Sequence, residues 1–176
     1  MIKNNKYQLF IDVGNVGASY QPAHVHSDTF NFILYVNKQP IFVDTGVSTY
    51  EKNQLRQVER STSSHNTVQI GNIEQTQVWG GFRDAKAENI VIKDTLSKNV
   101  EDEKVAYFHL HPNVTNVTIE NSKVFIGNEK IQLFFKGENI SIEKGSYKFA
   151  AGFNKTLEAI KLKVLFESSL ETTIQL

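Results

Sequence analysis

The sequence predicts an all-β domain built as a two-layer antiparallel β-sandwich. Three observations predict it. Short runs rich in Val, Ile, Phe and Thr recur along the chain, Gly, Asn, Asp or Lys-Glu punctuation separates them, and apolar spacing of helical period is nearly absent. Many short strands at regular intervals favour two packed sheets. With 176 residues, no internal repeat and no low-complexity linker, the chain reads as one domain spanning 1–176. That length can bury about two-thirds of the unfolded surface.

The elements follow in chain order. Tyr7 to Val13 is strand-like almost from the start. Thr29-Phe-Asn-Phe-Ile-Leu-Tyr-Val36 is expected as a strand, with Asn37-Lys-Gln-Pro40 as the turn into Ile41-Phe-Val-Asp44. Tyr50 to Arg60 holds helix-compatible residues without an apolar stripe, so it is expected as a long excursion with at most a short helix. Asn66 to Ile70 alternates before Gly71-Asn72. Short strands are expected at 89–93, 105–110, 114–120, 123–126, 131–135 and 140–143, with hairpin turns at Gly127-Asn128 and Gly137-Glu138. Segments 159–166 and 172–176 would close the sheets.

Composition narrows the function. Nineteen basic residues balance nineteen acidic ones without a block of either sign, which excludes a basic stripe for nucleic acid. Cysteine is absent, so any metal must be held by nitrogen and oxygen. No apolar run approaches the ~18 residues that cross a bilayer, so no membrane span is expected. The first ten residues lack the apolar stretch of a secretory signal. An abrupt entry into strand sequence is what a domain from a longer chain would show, and a compact cytosolic protein beginning in an edge strand would look similar.

The chemistry concentrates in Pro22-Ala-His-Val-His-Ser-Asp28. In an extended strand residues i and i+2 share a face, which would put His24, His26 and Asp28 on one side. Asp44 and His65 follow at spacings that suit separate strands meeting across a sheet. His26, Asp44 and His65 would supply three ligands to a divalent metal and leave positions for water or substrate. Neutral imidazole and carboxylate suit zinc and also admit manganese. Asp28 fits better as the group that orients an imidazole through its other ring N–H. The competing reading is separate, hydrogen-bonded histidines at strand ends, since His-x-His alone is a weak signal.

His24 and Tyr50 are the candidates for acid–base work. His24 would share the face of His26 and could exchange a proton near neutral pH. Tyr50 could act as a base beside a cation or metal, although a tyrosine after a turn also packs readily at a sheet edge. Arg56, Arg60 and Arg83 could grip carboxylates of an acidic sugar. Trp79 could form a stacking platform, or lie in the core. His109 and His111 form a second i, i+2 pair without a convincingly spaced carboxylate, and are assigned to structure.

Together these segments resemble the C-terminal β domain of the heparinase II/III-like polysaccharide lyase family. The residues that carry the resemblance are Asp12-Val-Gly14, the His24–Asp28 segment, Val43-Asp-Thr-Gly46 with Tyr50, Arg60-Ser-Thr-Ser-Ser-His-Asn-Thr-Val68, Gln75 through Trp79 to Arg83, and Phe108-His-Leu-His-Pro112. Order and spacing together are far more specific than any one motif. The resemblance implies β-elimination on a uronic-acid-containing polysaccharide, with His26, Asp44 and His65 as metal ligands and His24 at the cleft. It implies an N-terminal α/α toroid as partner in the same full-length chain, the active cleft lying between the two. It also implies bacterial export, periplasmic or secreted, and the setting of capsule or exopolysaccharide gene clusters. Two features depart from the pattern: the toroid, with its catalytic Tyr, is absent here, and the stretch from Arg83 to His109 is short. A domain with half a cleft is expected to be inactive alone. Two rival readings are a cupin-like metalloprotein, which would need a Glu soon after the His pair, and a non-catalytic carbohydrate-binding sandwich.

Overall fold

A computed structural model of the chain describes residues 1–13, 26–75, 84–85, 89–96, 101–127 and 131–176. Among the described residues the chain forms antiparallel strands and one short α-helix. Strands β1 (Ile2–Lys3), β2 (Tyr7–Ile11), β3 (Phe32–Val36) and β4 (Gln39–Phe42) make a meander in that order. Strand β5 (Val68–Ile70) pairs with β8 (Lys104–His109), which pairs with β13 (Lys155–Phe166), and β12 (Ser141–Gly152) forms the edge. The third sheet runs β6 (Asp84–Ala85), β7 (Asn89–Thr95), β14 (Ser169–Gln175), β11 (Ile131–Gly137), β10 (Lys123–Ile126) and β9 (Val117–Glu120). The first two sheets meet edge to edge. A Phe42–Leu110 bridge and the bonds Val43 N–H to His109 O and His111 N–H to Ile41 O join them into one layer.

Alternation explains the packing. In β3 and β11, Phe32, Leu34 and Val36, and Ile131, Leu133 and Phe135, are buried at every second position, as a pleated strand with one inner face demands. The inner faces interdigitate through four aromatic rings. Phe32, Phe42 and Phe108 meet one another at tilted or edge-to-face angles, 5.6–6.1 Å between centroids, and Phe108 meets Phe135 edge-on across the layers at 5.5 Å. Each such pair adds about 0.5–1.5 kcal/mol beyond the area it buries.

The turns depart from the sequence expectation in three places. The turn after β3 is only Asn37-Lys38, both at positive φ, as a two-residue hairpin requires. Pro40 lies inside β4, opposite Tyr35; the bonds on the other side of this strand begin at Ile41, so a missing N–H is tolerated. Gly137-Glu138 is not a hairpin, because β11 and β12 belong to different sheets and the chain crosses between layers there. Strand β12 continues to Gly152, well past Glu143. Its polar, mostly exposed sequence lacks the alternation that would mark it. The Gly127-Asn128 turn lies partly outside the described residues. No helix among the described residues is long and apolar enough to cross a membrane.

Candidate functional site

The site lies where the β3–β4 hairpin meets β8. Residues 26–31 are not the strand the sequence suggests. Asn31 N–H bonds Asp28 O, and Phe30 sits at φ 62°, so a turn precedes β3 and His26 and Asp28 are not placed by strand alternation. Ser27 N–H donates to Arg60 O and ties this segment to the end of helix α1 (Gln54–Glu59). The helix begins where the Asn53 side chain accepts Arg56 N–H, an ordinary N-cap.

From Asp44 the chain makes its long excursion and returns through a 3-10 turn, Thr62–Ser64, to His65. Gly46 starts it at φ 74°, where a Cβ would stand 3.1 Å from the Ala150 Cβ. Close approach and a left-handed backbone both call for glycine. Main-chain bonds from Ala150 to Thr45 and from Asn154 to Ser48 pin the excursion on β12 and the turn that follows it. The Arg60–Val68 motif then locks itself in place. Glu74 accepts from the backbone and hydroxyl of Thr62 at 2.6 and 2.8 Å, and Gln75 donates to Thr67 Oγ1 and Val68 O at 2.7 and 2.9 Å. Buried Glu59 likewise accepts from the Ser48 backbone and hydroxyl.

These constraints bring three predicted residues together. His65 Nδ1 lies 2.7 Å from Asp44 Oδ2, and the His26 and His65 rings are 5.3 Å apart between centroids. His65 is fully buried, and its Nε2 has no hydrogen-bond partner among the described residues. Burial pushes the Asp44 carboxyl upward, but the hydrogen bond and charge of His65 and the Gly46 N–H outweigh it and hold Asp44 below the usual carboxylate range. Burial lowers the His26 pKa, as do the neighbouring His65 and the positive charges of Arg60 and Arg56, which favours the neutral imidazole. Asp28 is half-buried and raised by desolvation; it lies within electrostatic reach of His65, but the carboxylate hydrogen-bonded to that imidazole is Asp44's.

Two imidazoles and a carboxylate are the donor types that borderline divalent cations take. Two imidazoles on one tetrahedral ion, each bound at about 2.1 Å, would hold their centroids about 5 Å apart, close to the separation seen here. The Asp44–His65 contact itself is a hydrogen bond, closer than the roughly 3.3 Å between two ligands of such an ion. Accordingly, no group of three or more His, Cys, Asp or Glu is spaced as a ready coordination shell among the described residues.

The other predicted residues fall elsewhere. Tyr50 is two-thirds exposed, with the Arg56 guanidinium 5.0 Å above its ring. Arg60 caps α1 beside His26. His24, Trp79 and Arg83 lie outside the described residues. Two residues the sequence reading passed over join the cluster, Asn31 and Asn66. Their signal was an amide inside a strand-like run, where Asn is disfavoured, and an amide directly after His65.

The chain is thus an all-β domain with an imidazole–carboxylate cluster at the seam of two sheets. The family model described as "Heparinase II/III-like, C-terminal" matches residues 1–88, and the chain belongs to that family. Solved structures agree on the fold. A heparinase III gene product superposes with TM-score 0.78 at 16% identity, covering 96% of this chain and 32% of that one. The heparan sulfate lyase HepC from Pedobacter heparinus gives 0.75 at 13% identity, covering 95% and 32%. Another heparinase III gives 0.72 at 16%, covering 99% and 37%. The chain therefore spans about a third of the length of these lyases. A search of curated proteins finds no match.

Proposed function

We propose that this chain is the C-terminal β domain of a bacterial polysaccharide lyase that cleaves uronic-acid-containing polysaccharide by β-elimination. It would form one wall of the cleft, and an N-terminal α/α toroid of the full-length protein would form the other. The observation that carries this reading is the convergence of His26, Asp44 and His65 from three separated segments, within a chain whose family and fold point to lyases. His26, Asp44 and His65 would hold a divalent metal, zinc foremost. Such an ion, when bound, supplies a fixed positive charge that orders the cleft wall and favours anionic groups nearby.

In β-elimination a base removes the proton next to the carboxylate and an acid assists the departing glycosidic oxygen. Charge that develops on the enolate-like carboxylate must be neutralised. His24 would contribute there, with Tyr50 as a second proton-transfer candidate, while Arg60, Arg83 and Trp79 would grip the acidic sugar chain. The lowered pKa of His26 favours the neutral imidazole, which can offer a lone pair to a cation rather than repel it. Secretion or periplasmic location accords with a polymeric extracellular substrate. The test joins this domain to a lyase toroid and follows unsaturated-uronate absorbance on acidic polysaccharides. Product is expected only from the joined protein, and product from this chain alone would contradict the shared-cleft reading.

A further inference from the structure

Asp44 is held at both oxygens. Oδ1 accepts the Gly46 N–H at 2.8 Å, whereas Oδ2, which meets His65, also accepts Asn31 Nδ2 at 2.7 Å. The orientation of the Asn31 amide is forced. Its other end faces the backbone N–H of Asn66 at 2.9 Å, and an N–H can only donate, so Oδ1 must point there and the NH2 group toward Asp44. Asn66 is fixed by the same logic. Its NH2 donates to Phe32 O and Val43 O at 2.8 and 2.9 Å, and its Oδ1 accepts from His109 N–H. One amide thus ties the start of β3, the end of β4 and β8 together, and a second transmits that rigidity to Asp44. Asn31 and Asn66 are both buried.

We propose that Asn31 is the positioning residue of the His26–Asp44–His65 cluster, setting the rotation of the Asp44 carboxylate and, through it, the ring of His65. The torsion that turns an aspartate carboxylate is soft, and Gly46 restrains only one oxygen. A neutral donor suits the task, because it fixes the carboxylate plane without cancelling the charge that His65 uses. A lysine or arginine there would neutralise Asp44 and compete for it. Satisfied at both ends, Asn31 also avoids the penalty of a buried amide.

The inference rests on the site reading above, and two readouts keep their failures apart. Zn2+ alone is titrated calorimetrically into the wild-type chain, Asn31→Ala and Asn31→Asp, while 15N-resolved NMR follows the His65 ring. In the wild type the His65 Nδ1–H resonance is expected far downfield and protected from solvent exchange. In Asn31→Ala it should shift and exchange faster while resonances of the aromatic core stay put, and Zn2+ affinity should fall about 10–100-fold. Asn31→Asp retains the acceptor for Asn66 N–H but sets a second carboxylate against Asp44; it should show the same loss, and it decides the matter if the alanine variant does not fold. An unchanged His65 signal with unchanged Zn2+ affinity in a folded variant overturns the proposal. If the wild type binds no Zn2+, the metal reading fails, and the His65 resonance alone judges Asn31: movement supports the role, and none overturns it.

Discussion

His65 and His109 are both fully buried imidazoles, yet their immediate partners differ. His65 has a carboxylate at 2.7 Å and a second imidazole alongside. His109 lies 4.8 Å edge-on to Tyr147 and near-parallel to Tyr107, and neither ring nitrogen makes a hydrogen bond of normal geometry among the described residues. Burial, reinforced by the charge of Lys161, lowers the His109 pKa to about 3. One imidazole is oriented by a carboxylate, and the other is kept neutral as packing. The difference teaches that a buried histidine carries little information until a carboxylate arrives from elsewhere in the fold.

The comparison can be broken first at the amide that serves both histidines. Asn66→Asp sets a carboxylate against Phe32 O and Val43 O in a fully buried position. It should cost about 3 kcal/mol or more in urea denaturation; a loss under about 1 kcal/mol would show the amide to be replaceable. Asp44→Ala comes next, at about 2–3 kcal/mol, because the Asn31 amide and His65 Nδ1 lose their common acceptor. An equally stable variant would mean that the pair contributes no ordering.

Acid titration sharpens the other side. The His109 pKa is 6.5 when unfolded and about 3 when folded, so the unfolded chain binds the extra proton between those values. Stability should therefore fall as pH drops from about 6.5 towards 3, by at most about 1.4 kcal/mol per pH unit from this group. His26, also lowered by burial, acts in the same direction. In His109→Gln the slope of stability against pH should flatten by about one proton, and an unchanged slope would contradict the buried neutral state. The smallest stability effect is expected at Tyr50. Tyr50→Ala should change stability by less than about 0.5 kcal/mol, since the ring is mostly exposed. Activity of the toroid-joined protein should nevertheless fall if Tyr50 takes part in proton transfer.

Much of this arrangement was legible in the residues. Strands such as β10, bounded as expected at Lys123 and Ile126, announce themselves by alternation. The meeting of His26, Asp44 and His65 could be expected from their type, order and family likeness. What stayed hidden had little local signature. Strand β12 is a polar edge, so periodicity could not extend it past Glu143. Asn31 sits in what reads as continuous strand, but Thr29 O and Asn31 Oδ1 are engaged by Thr67 and Asn66, tertiary partners that local pattern cannot supply. The carboxylate that touches an imidazole is Asp44's, although Asp28 is far closer to the His pair in sequence.

The central claim is that His26, Asp44 and His65 act as one cation-binding unit, whereas His109 does not belong to it. Metal content of the purified chain, measured by elemental analysis after saturation with Zn2+ and desalting, tests it most directly. Near-stoichiometric ion in the wild type and in His109→Gln, lost together in His26→Ala and His65→Ala, is the predicted result. Equal metal content in all four proteins, or none in the wild type, would contradict the account.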